Sequence, residues 1–358
     1  MFRIQMLPAE HGDCLWVEYG EADKPRVILI DGGTTGTWKL LKKKIVDEKA
    51  KRGGKLHFEL FIVTHVDADH IGGSLKLMEE VGPLGVTFGD VWFNGYYHLD
   101  NKPPPSRDVL GGKQGEQLSV LIDGWNLKWN EAFHSKAVMV PDHGMLPVIT
   151  IGGMQLTLLS PTFEKLQALK PEWEKEVIKV GLKPGDAYEA VDVETRGDTL
   201  GEDVEALAER DFKGDKTEAN GSSIALLAEY EGKSVLFAAD AHADVLLGNL
   251  ARLPARAKPA LPLAGFKVSH HGSRNNTSKE LVEALPAKRY LVSTNGNQFG
   301  HPHPEAISRI AVYGPKKKTL EFNCRSEFNE EWGSASRASD WSYDVAFGAD
   351  EDGRTVYL

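Results

Sequence analysis

The chain has 358 residues, 41% of them hydrophobic and 26% charged, which is enough to bury a full core in one large domain or two ordinary ones. A formal charge of −10, from 42 basic and 52 acidic residues, argues against a protein that coats nucleic acid through its overall charge. Only Cys14 and Cys324 are present, so neither a disulfide framework nor a cysteine zinc cluster is indicated.

The amino terminus lacks the apolar core of a signal peptide, and no run of residues is apolar for the length of a membrane span, about 18 residues. We therefore expect a cytoplasmic protein that has no membrane partner. Residues 2–7, 14–19 and 26–30 read as strands, and the third ends at Asp31-Gly32-Gly33, a turn built from glycine. Residues 38–51 predict a helix with a lysine-rich solvated face.

The string THVDADHIGG at 64–73 places two imidazoles and two carboxylates within six residues. An apolar run at 58–63 predicts a buried strand before it, and good helix formers follow it at 74–80. The four side chains thus lie on a strand-to-helix turn, where ligand sites of open sheets concentrate. Helix capping by the two aspartates explains each residue singly but not all four together with the glycines. The string predicts a metal site.

Further along, residues 91–97 read as a strand, 114–133 as a helix, and 148–159 as a hairpin with a Gly-Gly turn. From 161 to 219 the chain turns polar, with few β-branched residues and scattered glycines. We interpret this stretch as an insertion, mobile from about residue 195 to residue 220, that could act as a lid or receive a regulatory partner.

The carboxyl-terminal part carries a second set of ligand-type side chains. A hairpin over 222–240 ends at Asp240, and strands at 263–268 and 290–293 lead to two histidine pairs, His270 with His271 and His301 with His303. Four histidines at two strand ends are hard to explain by packing. The tail after residue 316 has strand-like pieces and no ligand cluster.

These strings resemble a known family. HVDADH is similar to the second motif of the metallo-β-lactamase superfamily, usually HxHxDH, with Asp67 where most members have histidine. KVSHHGS at 267–273 and GHPHPE at 300–305 resemble the hydrolase domain of the DNA-uptake protein ComEC and its free-standing relatives. The resemblance implies an α+β fold, a four-layer αββα metallo-β-lactamase sandwich, made by 1–358 as a single domain with 161–219 inserted. ComEC's hydrolase domain is attached to a membrane channel, so DNA uptake is not carried over.

The resemblance also implies two divalent metal ions, with zinc expected first and manganese as the alternative. It places Asp69, His70 and His270 at one metal, His65 and Asp67 at the other, and Asp240 between the two as a bridging and catalytic carboxylate. Asp31 and Asp13 would orient these ligands from behind. No histidine precedes the 222–240 hairpin where many members have their third motif. Asn220 and Ser222 stand there instead, as in the ComEC-like group.

Two bridged metals lower the pKa of a shared water to near neutral and hold a phosphodiester for in-line attack. By resemblance, His271 and His301 would stabilise developing charge or protonate the leaving oxygen, and His303 would join them or hold a ligand. Ser273, Arg274 and Asn275 would contact phosphate. We predict a metal-dependent phosphodiesterase, first of all a DNA or RNA nuclease whose partner is nucleic acid or another phosphodiester. Hydrolysis of a small ester, lactone or nucleotide, and a catalytically idle regulatory or binding module, stay open, as does the oligomeric state.

Overall fold

A computed structural model describes residues 1–104, 114–179, 203–254, 260–349 and 351–358, without the side chains of 176–179. The strands in chain order are β1 Phe2–Met6, β2 Leu15–Tyr19, β3 Arg26–Ile30, β4 Leu56–Phe58, β5 Leu60–Ile62, β6 Val86–Phe88, β7 Val91–Trp92, β8 Val148–Ile151, β9 Met154–Ser160, β10 Ala225–Tyr230, β11 Lys233–Phe237, β12 Gly265–Lys267, β13 Arg289–Val292, β14 Lys318–Phe322, β15 Tyr343–Phe347 and β16 Arg354–Tyr357. The helices are α1 Trp38–Lys51, α2 Ala68–Glu79, α3 Val81–Leu84, α4 Gln114–Gly124, α5 Phe163–Lys179, α6 Val204–Ala208, α7 Glu218–Gly221, α8 Ala243–Leu250, α9 Lys279–Ala284, α10 Pro304–Tyr313 and α11 Ala335–Asp340.

Two sheets form the middle of the molecule. The six-stranded sheet has the order β16-β1-β2-β3-β5-β7, and the eight-stranded sheet has the order β15-β14-β13-β12-β11-β10-β9-β8. One buried cluster joins their facing sides, for example Ile4 and Val17 with Leu226, and extends to α8, α9 and α10. A second cluster joins Phe61 of the first sheet to α1, α2, α4 and α5. Helices thus cover both outer faces, which confirms the four-layer αββα sandwich.

Two predicted elements around residues 91–133 are shorter than expected. The strand ends at Trp92 and the helix ends at Gly124. The helix ends shortly before Asn126, whose backbone is left-handed, and the strand ends because of Asn130, which has a left-handed backbone and a buried side chain. Its amide accepts from the Phe93 N–H at 3.0 Å and donates to the Phe93 carbonyl at 3.0 Å. This side chain supplies the partners that a neighbouring strand would otherwise provide, so the ladder stops there.

The structure describes the polar stretch at 161–219 in two parts. Residues 180–202 lie between these parts and outside the described residues, and they include the beginning of the segment predicted to be mobile, 195–220. The first part is α5, whose Trp173 is buried in the second cluster. The second part contains α6, which packs on α10, where buried Arg309 donates to the carbonyls of Ala208 and Arg210. The lid stays a prediction. Within the described ranges, no helix combines the length and apolarity needed to cross a bilayer.

Glycines bring the start of α2 against the turn that follows β3. The Gly73 N–H donates to the Gly33 carbonyl at 2.9 Å, and the Gly32 N–H donates to the His70 carbonyl at 3.0 Å. A Cβ at Gly73 would lie 2.0 Å from the carbonyl oxygen of Gly32, so no side chain fits between them. Gly72 and Gly73 therefore set the distance between Asp31 and α2, the helix that carries Asp69 and His70.

Gly73→Ala should destabilise the fold by about 1–3 kcal/mol or more, because the obstructing atoms are backbone and cannot turn away. Urea unfolding monitored by circular dichroism would measure the change. Gly248→Ala is the matched control: Gly248 lies in α8 with nothing within 4 Å of the added Cβ, so this variant should gain about 0.5–1 kcal/mol. Equal midpoints for the two variants would contradict the close-approach argument.

Candidate metal centre

The site lies where strands of both sheets end. Asp31 follows β3, and the 64–70 string follows β5, which runs parallel to β3. In the other sheet Asp240 follows β11 and the 270–271 pair follows β12, and these strands are also parallel. Carboxyl ends of parallel strands meet at one edge of a sheet, so segments distant in sequence converge here.

Four side-chain atoms form a compact group at this edge: Asp69 Oδ2, His70 Nε2, Asp240 Oδ2 and His271 Nε2. The Nε2 atom of His271 lies 3.2 Å from His70 Nε2, 3.3 Å from Asp69 Oδ2 and 3.6 Å from Asp240 Oδ2. The Nε2 atom of His70 lies 3.4 Å from Asp240 Oδ2 and 3.9 Å from Asp69 Oδ2. Tetrahedral zinc with bonds near 2 Å separates its ligand atoms by about 3.3 Å. The group has the dimensions of a metal coordination shell.

Hydrogen bonds behind the rings orient the two histidines. His70 Nδ1 lies 2.8 Å from Asp31 Oδ2, and His271 Nδ1 lies 2.9 Å from the Ser293 carbonyl. Both partners are acceptors, so each Nδ1 carries the proton and each Nε2 presents a lone pair. Two lone pairs facing each other at 3.2 Å need a proton or a metal cation between them. Carboxylate or carbonyl support of the remote nitrogen is the usual setting of a metal-bound histidine.

Asp31 and Asp13, the two residues predicted to orient ligands, lie behind the histidines. Asp31 also accepts from the Thr64 N–H and hydroxyl, both at 2.8 Å, which ties it to the start of the 64–70 string. Asp13 Oδ1 lies 3.4 Å from His271 Nδ1, and its other oxygen pairs with buried Lys267 at 2.6 Å. Burial raises the pKa of Asp13, but Lys267 and His271 outweigh it and hold that pKa at about 2. Asp13 therefore meets His271 as a carboxylate.

The sequence interpretation placed His270 with Asp69 and His70 and gave His271 a catalytic role. In the structure it is His271 whose Nε2 lies beside His70 Nε2 and Asp69 Oδ2, at 3.2 and 3.3 Å. His270 Nε2 is 3.8 Å from Asp240 Oδ2, and its Nδ1 faces Asp215 Oδ2 at 3.6 Å. The sequence could not show which of two neighbouring histidines faces His70 and Asp69, because the directions of both rings depend on the left-handed backbone of both residues.

A second group surrounds His65, whose Nε2 lies 3.4 Å from Asp67 Oδ2 and 3.9 Å from Asp240 Oδ2. Three buried atoms here have no hydrogen-bond partner: His65 Nε2, Asp67 Oδ1 and Asp240 Oδ1. Leaving a buried polar atom unpaired costs about 1–3 kcal/mol. A divalent cation is a suitable partner for unpaired nitrogen and carboxylate oxygen atoms of this kind, so this group is a second candidate for metal binding.

The other predicted residues lie around these groups. His301 is 4% exposed, and its ring centroid lies 4.9 Å from that of His270. His303 is buried beyond it, and its Nδ1 accepts from the Arg274 N–H at 3.2 Å. Ser273 and Asn275 line the pocket over the site. Arg274 does not line that pocket, and its guanidinium lies 3.7 Å from Glu305.

The pocket has a volume of about 420 Å³. Its acidic lining residues are Glu10, Asp67, Asp69, Glu172, Asp215, Glu218 and Asp240, and no Lys or Arg is found among the described residues that line it. Sequence reasoning missed Asp215, Glu10 and Phe299, and it gave the loop that begins at His11 only a supporting role. The ring centroids of His11 and Phe299 lie 5.6 Å apart. The one available signal was the position of Asp215 five residues before Asn220.

When no metal is bound, nearby carboxylates raise the pKa values of His70 and His271. Burial lowers the pKa of His271, but Asp240, Asp13 and Asp69 outweigh it and raise the pKa to about 9. The pKa of His70 is likewise raised well above its usual value, because Asp240 and Asp31 outweigh its burial. Without metal, at least one of the two rings is therefore protonated at pH 7, which places a proton between the facing Nε2 atoms.

We expect zinc binding at pH 7 to release at least one proton, because a metal must displace the proton on Nε2. Apparent affinity should rise by about tenfold per pH unit for each proton displaced and level off once the pH exceeds about 9, where His271 is neutral without metal. Calorimetry in two buffers with different ionisation enthalpies would count the protons. A binding enthalpy independent of the buffer would contradict the prediction.

Comparison with known proteins finds a family model that matches part of the chain. Residues 8–140 match the family model of the metallo-beta-lactamase superfamily. Similar solved structures include zinc-bound PqqB from Methylobacterium extorquens, with 11% identity, 99% of this chain and 100% of that chain covered, and a TM-score of 0.43. They also include the metallo-beta-lactamase fold protein YhfI from Bacillus subtilis, at 11% identity, 99% and 98% coverage and a TM-score of 0.40. A third is MEM-A1, a subclass B3 metallo-beta-lactamase from a soil metagenome library, with 16% identity, 83% of this chain and 82% of that chain covered, and a TM-score of 0.30. Among curated proteins none matches significantly. The part of the chain that matches the superfamily model, residues 8–140, contains Asp13, Asp31 and the 64–73 string.

Proposed function

We propose that the chain is a metal-dependent hydrolase that cleaves phosphodiesters. The observation that carries the proposal is the group of Asp69, His70, Asp240 and His271 beside the pocket, in which the two histidine Nε2 atoms lie 3.2–3.9 Å from each other and from both carboxylates, as in a metal coordination shell. Bound divalent metals supply a water of lowered pKa and polarise the oxygens of a phosphoester.

Asp240 suits a bridging role between two metal positions. Its Oδ2 atom is surrounded by the Nε2 atoms of four histidines at 3.4–3.9 Å, and its Oδ1 has no hydrogen-bond partner. A carboxylate bridge brings two metals close enough to act on one phosphoryl group. This arrangement favours phosphoester chemistry.

His301 stands on the pocket wall as the imidazole that neither group uses. Burial lowers the pKa of His301 well below its usual value, and His270 and His303 lower it further, so the ring is neutral at pH 7. A neutral ring has one N–H to donate to charge developing on a phosphoryl oxygen, but it does not carry the extra proton that a leaving group needs. Of the two roles predicted for His301, the lowered pKa supports the hydrogen-bond donor.

The pocket lining favours a small substrate over a duplex. Four of its carboxylates, those of Glu10, Glu172, Asp215 and Glu218, lie outside the proposed ligand groups and would repel a polyanion. Nuclease action, the sequence-based prediction, is therefore proposed here for the end of a single strand, which brings few phosphates to these carboxylates. The same lining leaves hydrolysis of a small ester or lactone as the second candidate, because a neutral substrate meets no such repulsion.

The test compares substrates on protein loaded with zinc or with manganese. We expect hydrolysis of bis(p-nitrophenyl) phosphate to exceed that of p-nitrophenyl acetate, with His70→Ala as the control for contaminating activity. Competition by a single-stranded oligonucleotide, but not by duplex DNA, would support the strand-end form. Faster ester cleavage would favour the second candidate, and bound metal without turnover of any substrate would leave the regulatory module.

A further inference from the structure

One wall of the pocket carries an aromatic ring that the core does not use. Phe299 is half-buried and lines the pocket, and neither of the two buried clusters includes it. Its ring adjoins two histidine rings instead. The centroid of His11 lies 5.6 Å away at an interplanar angle of 82°, and that of His301 lies 5.8 Å away at 35°. An aromatic ring on a pocket wall, outside the core, is available to a substrate.

The rings of His11 and Phe299, which we call the aromatic corner, meet nearly at right angles. A flat guest that stacks on the face of one ring therefore meets the other ring edge to face. Aromatic pairs favour both arrangements, at centroid distances of about 4.5–7 Å. The corner thus suits a flat aromatic ring better than an aliphatic group, which gains only from the area that it buries.

Hydrogen bonds fix the two loops that carry the corner. The Asn295 N–H donates to the Glu10 carbonyl at 2.6 Å, and the Ser293 hydroxyl donates to the Gly12 carbonyl at 2.8 Å, so the loops hold each other. The first loop also lies against the start of α2, because a Cβ at Gly12 would be 1.8 Å from the Asp69 carbonyl oxygen. The corner is therefore formed before a ligand arrives, and binding there costs little further ordering.

The corner lies beside the groups proposed to act on the phosphate. His301 is the side chain proposed to donate to a phosphoryl oxygen, and ring neighbours run from it to Phe299 and then to His11. A group bound at the corner is therefore a near neighbour of the reacting phosphate rather than a distant part of the substrate.

Charge in the pocket favours a neutral ring over a second phosphate at this place. Glu10 precedes His11 and, with Glu172 and Glu218, adds negative charge outside the proposed ligand groups. These carboxylates repel a second phosphate. A nucleobase is neutral at pH 7, and its amino groups can donate hydrogen bonds to carboxylates. It is also the flat ring that a strand end carries next to its phosphate.

We propose that His11 and Phe299 bind the base of the nucleotide whose phosphate is cleaved, which makes them specificity-determining residues. The inference rests on the proposed function and names its substrate class, the terminal nucleotide of a single strand. Stacking on an aromatic ring tolerates every base. The corner therefore selects a nucleotide without selecting a sequence.

The experiment measures binding rather than turnover, by calorimetry on manganese-loaded protein. Wild type should bind deoxyadenosine 5′-monophosphate about 5- to 150-fold more tightly than 2-deoxyribose 5-phosphate, the equivalent of about 1–3 kcal/mol for one stacked base. Phe299→Ala should lose this difference and keep its affinity for the sugar phosphate, which also shows that it has folded. Phe299→Tyr restores the ring and should restore the difference. Tyr357→Ala removes an exposed ring on β16, outside the pocket, and should bind as wild type does.

Two further measurements define the site. His11→Ala should weaken nucleotide binding by about 2- to 13-fold, the equivalent of about 0.5–1.5 kcal/mol for one edge-to-face contact. Phenyl phosphate carries its ring directly on the phosphate, without a sugar, and should bind equally to wild type and to Phe299→Ala.

Equal wild-type affinity for the nucleotide and the sugar phosphate would overturn the inference. Loss of phenyl phosphate binding in Phe299→Ala, with nucleotide binding unchanged, would also overturn it and assign the corner to another aryl ester. If the nucleotide binds in the expected pattern but no phosphodiester is cleaved, only the proposed function fails.

Discussion

His70→Ala is expected to abolish the tighter metal equivalent and phosphodiesterase activity together. The substitution removes Nε2 from the four-atom group, and alanine offers nothing to fill the position beside Asp240 and His271. Loss of a direct ligand should exceed the about 10- to 100-fold effect of residues behind ligands. Equilibrium dialysis with zinc, followed by elemental analysis, measures the first effect, and turnover of bis(p-nitrophenyl) phosphate measures the second.

The matched control for this variant is Asp31→Asn. Asp31 supports His70 from 2.8 Å but does not reach the metal position, so its loss should weaken binding by about 10- to 100-fold and leave measurable activity at high metal concentration. Asp69→Ala should behave as His70→Ala does. Full metal loading in a double variant of Asp69 and His70 would refute the assignment of this group as a metal centre.

His301→Ala should separate chemistry from metal binding. His301 lies on the pocket wall outside both proposed ligand groups, so the variant should keep both metal equivalents and a KM within a few-fold of wild type. Its turnover should fall by about 10²- to 10⁴-fold, the range for one transition-state donor. Steady-state kinetics beside metal analysis of the same preparation would measure both quantities.

His303→Ala is the comparison for that result. His303 is buried behind His301, with ring centroids 4.6 Å apart, and its Nδ1 holds the Arg274 backbone. Its loss should act through the position of His301 and reduce turnover less. Depletion of metal in His301→Ala would assign it to the ligands instead. Full activity in both variants would assign this pair to packing.

The pairing of histidines with metals shows where sequence reasoning reached its limit. His65, Asp67, Asp69 and His70 are close in space because they are close along the chain, at a strand-to-helix turn whose geometry the flanking residues predict. His270 and His271 differ by one position, and a motif cannot say which ring turns toward Asp69. The structure separates them through the Ser293 carbonyl behind one ring and Asn276 behind the other.

Asp215 illustrates a different limit. It lies in a polar stretch that composition marks as an insertion, and nothing local distinguishes it from the neighbouring carboxylates. Its importance comes from hydrogen bonds to Asn276, 61 residues away, and from the approach of His270. Such contacts exist only once α10 and the 270–278 loop have packed against the segment after α6.

By itself, the sequence determined the buried strand and the ligand-type side chains that follow it at residues 64–70, because these depend on periodicity and on residues at a strand end. The four-layer fold and the convergence of Asp31 and Asp240 with the later histidines were implied by the resemblance of its motifs to the metallo-β-lactamase superfamily. The tertiary structure alone decided which imidazole faces which carboxylate, which groups support the ligands and how acidic the pocket wall is. Those properties depend on distances of a few ångströms between segments that no local pattern links. The buried hydrogen bonds from Asp31, Ser293 and Asn276, made only after both sheets have packed, set them.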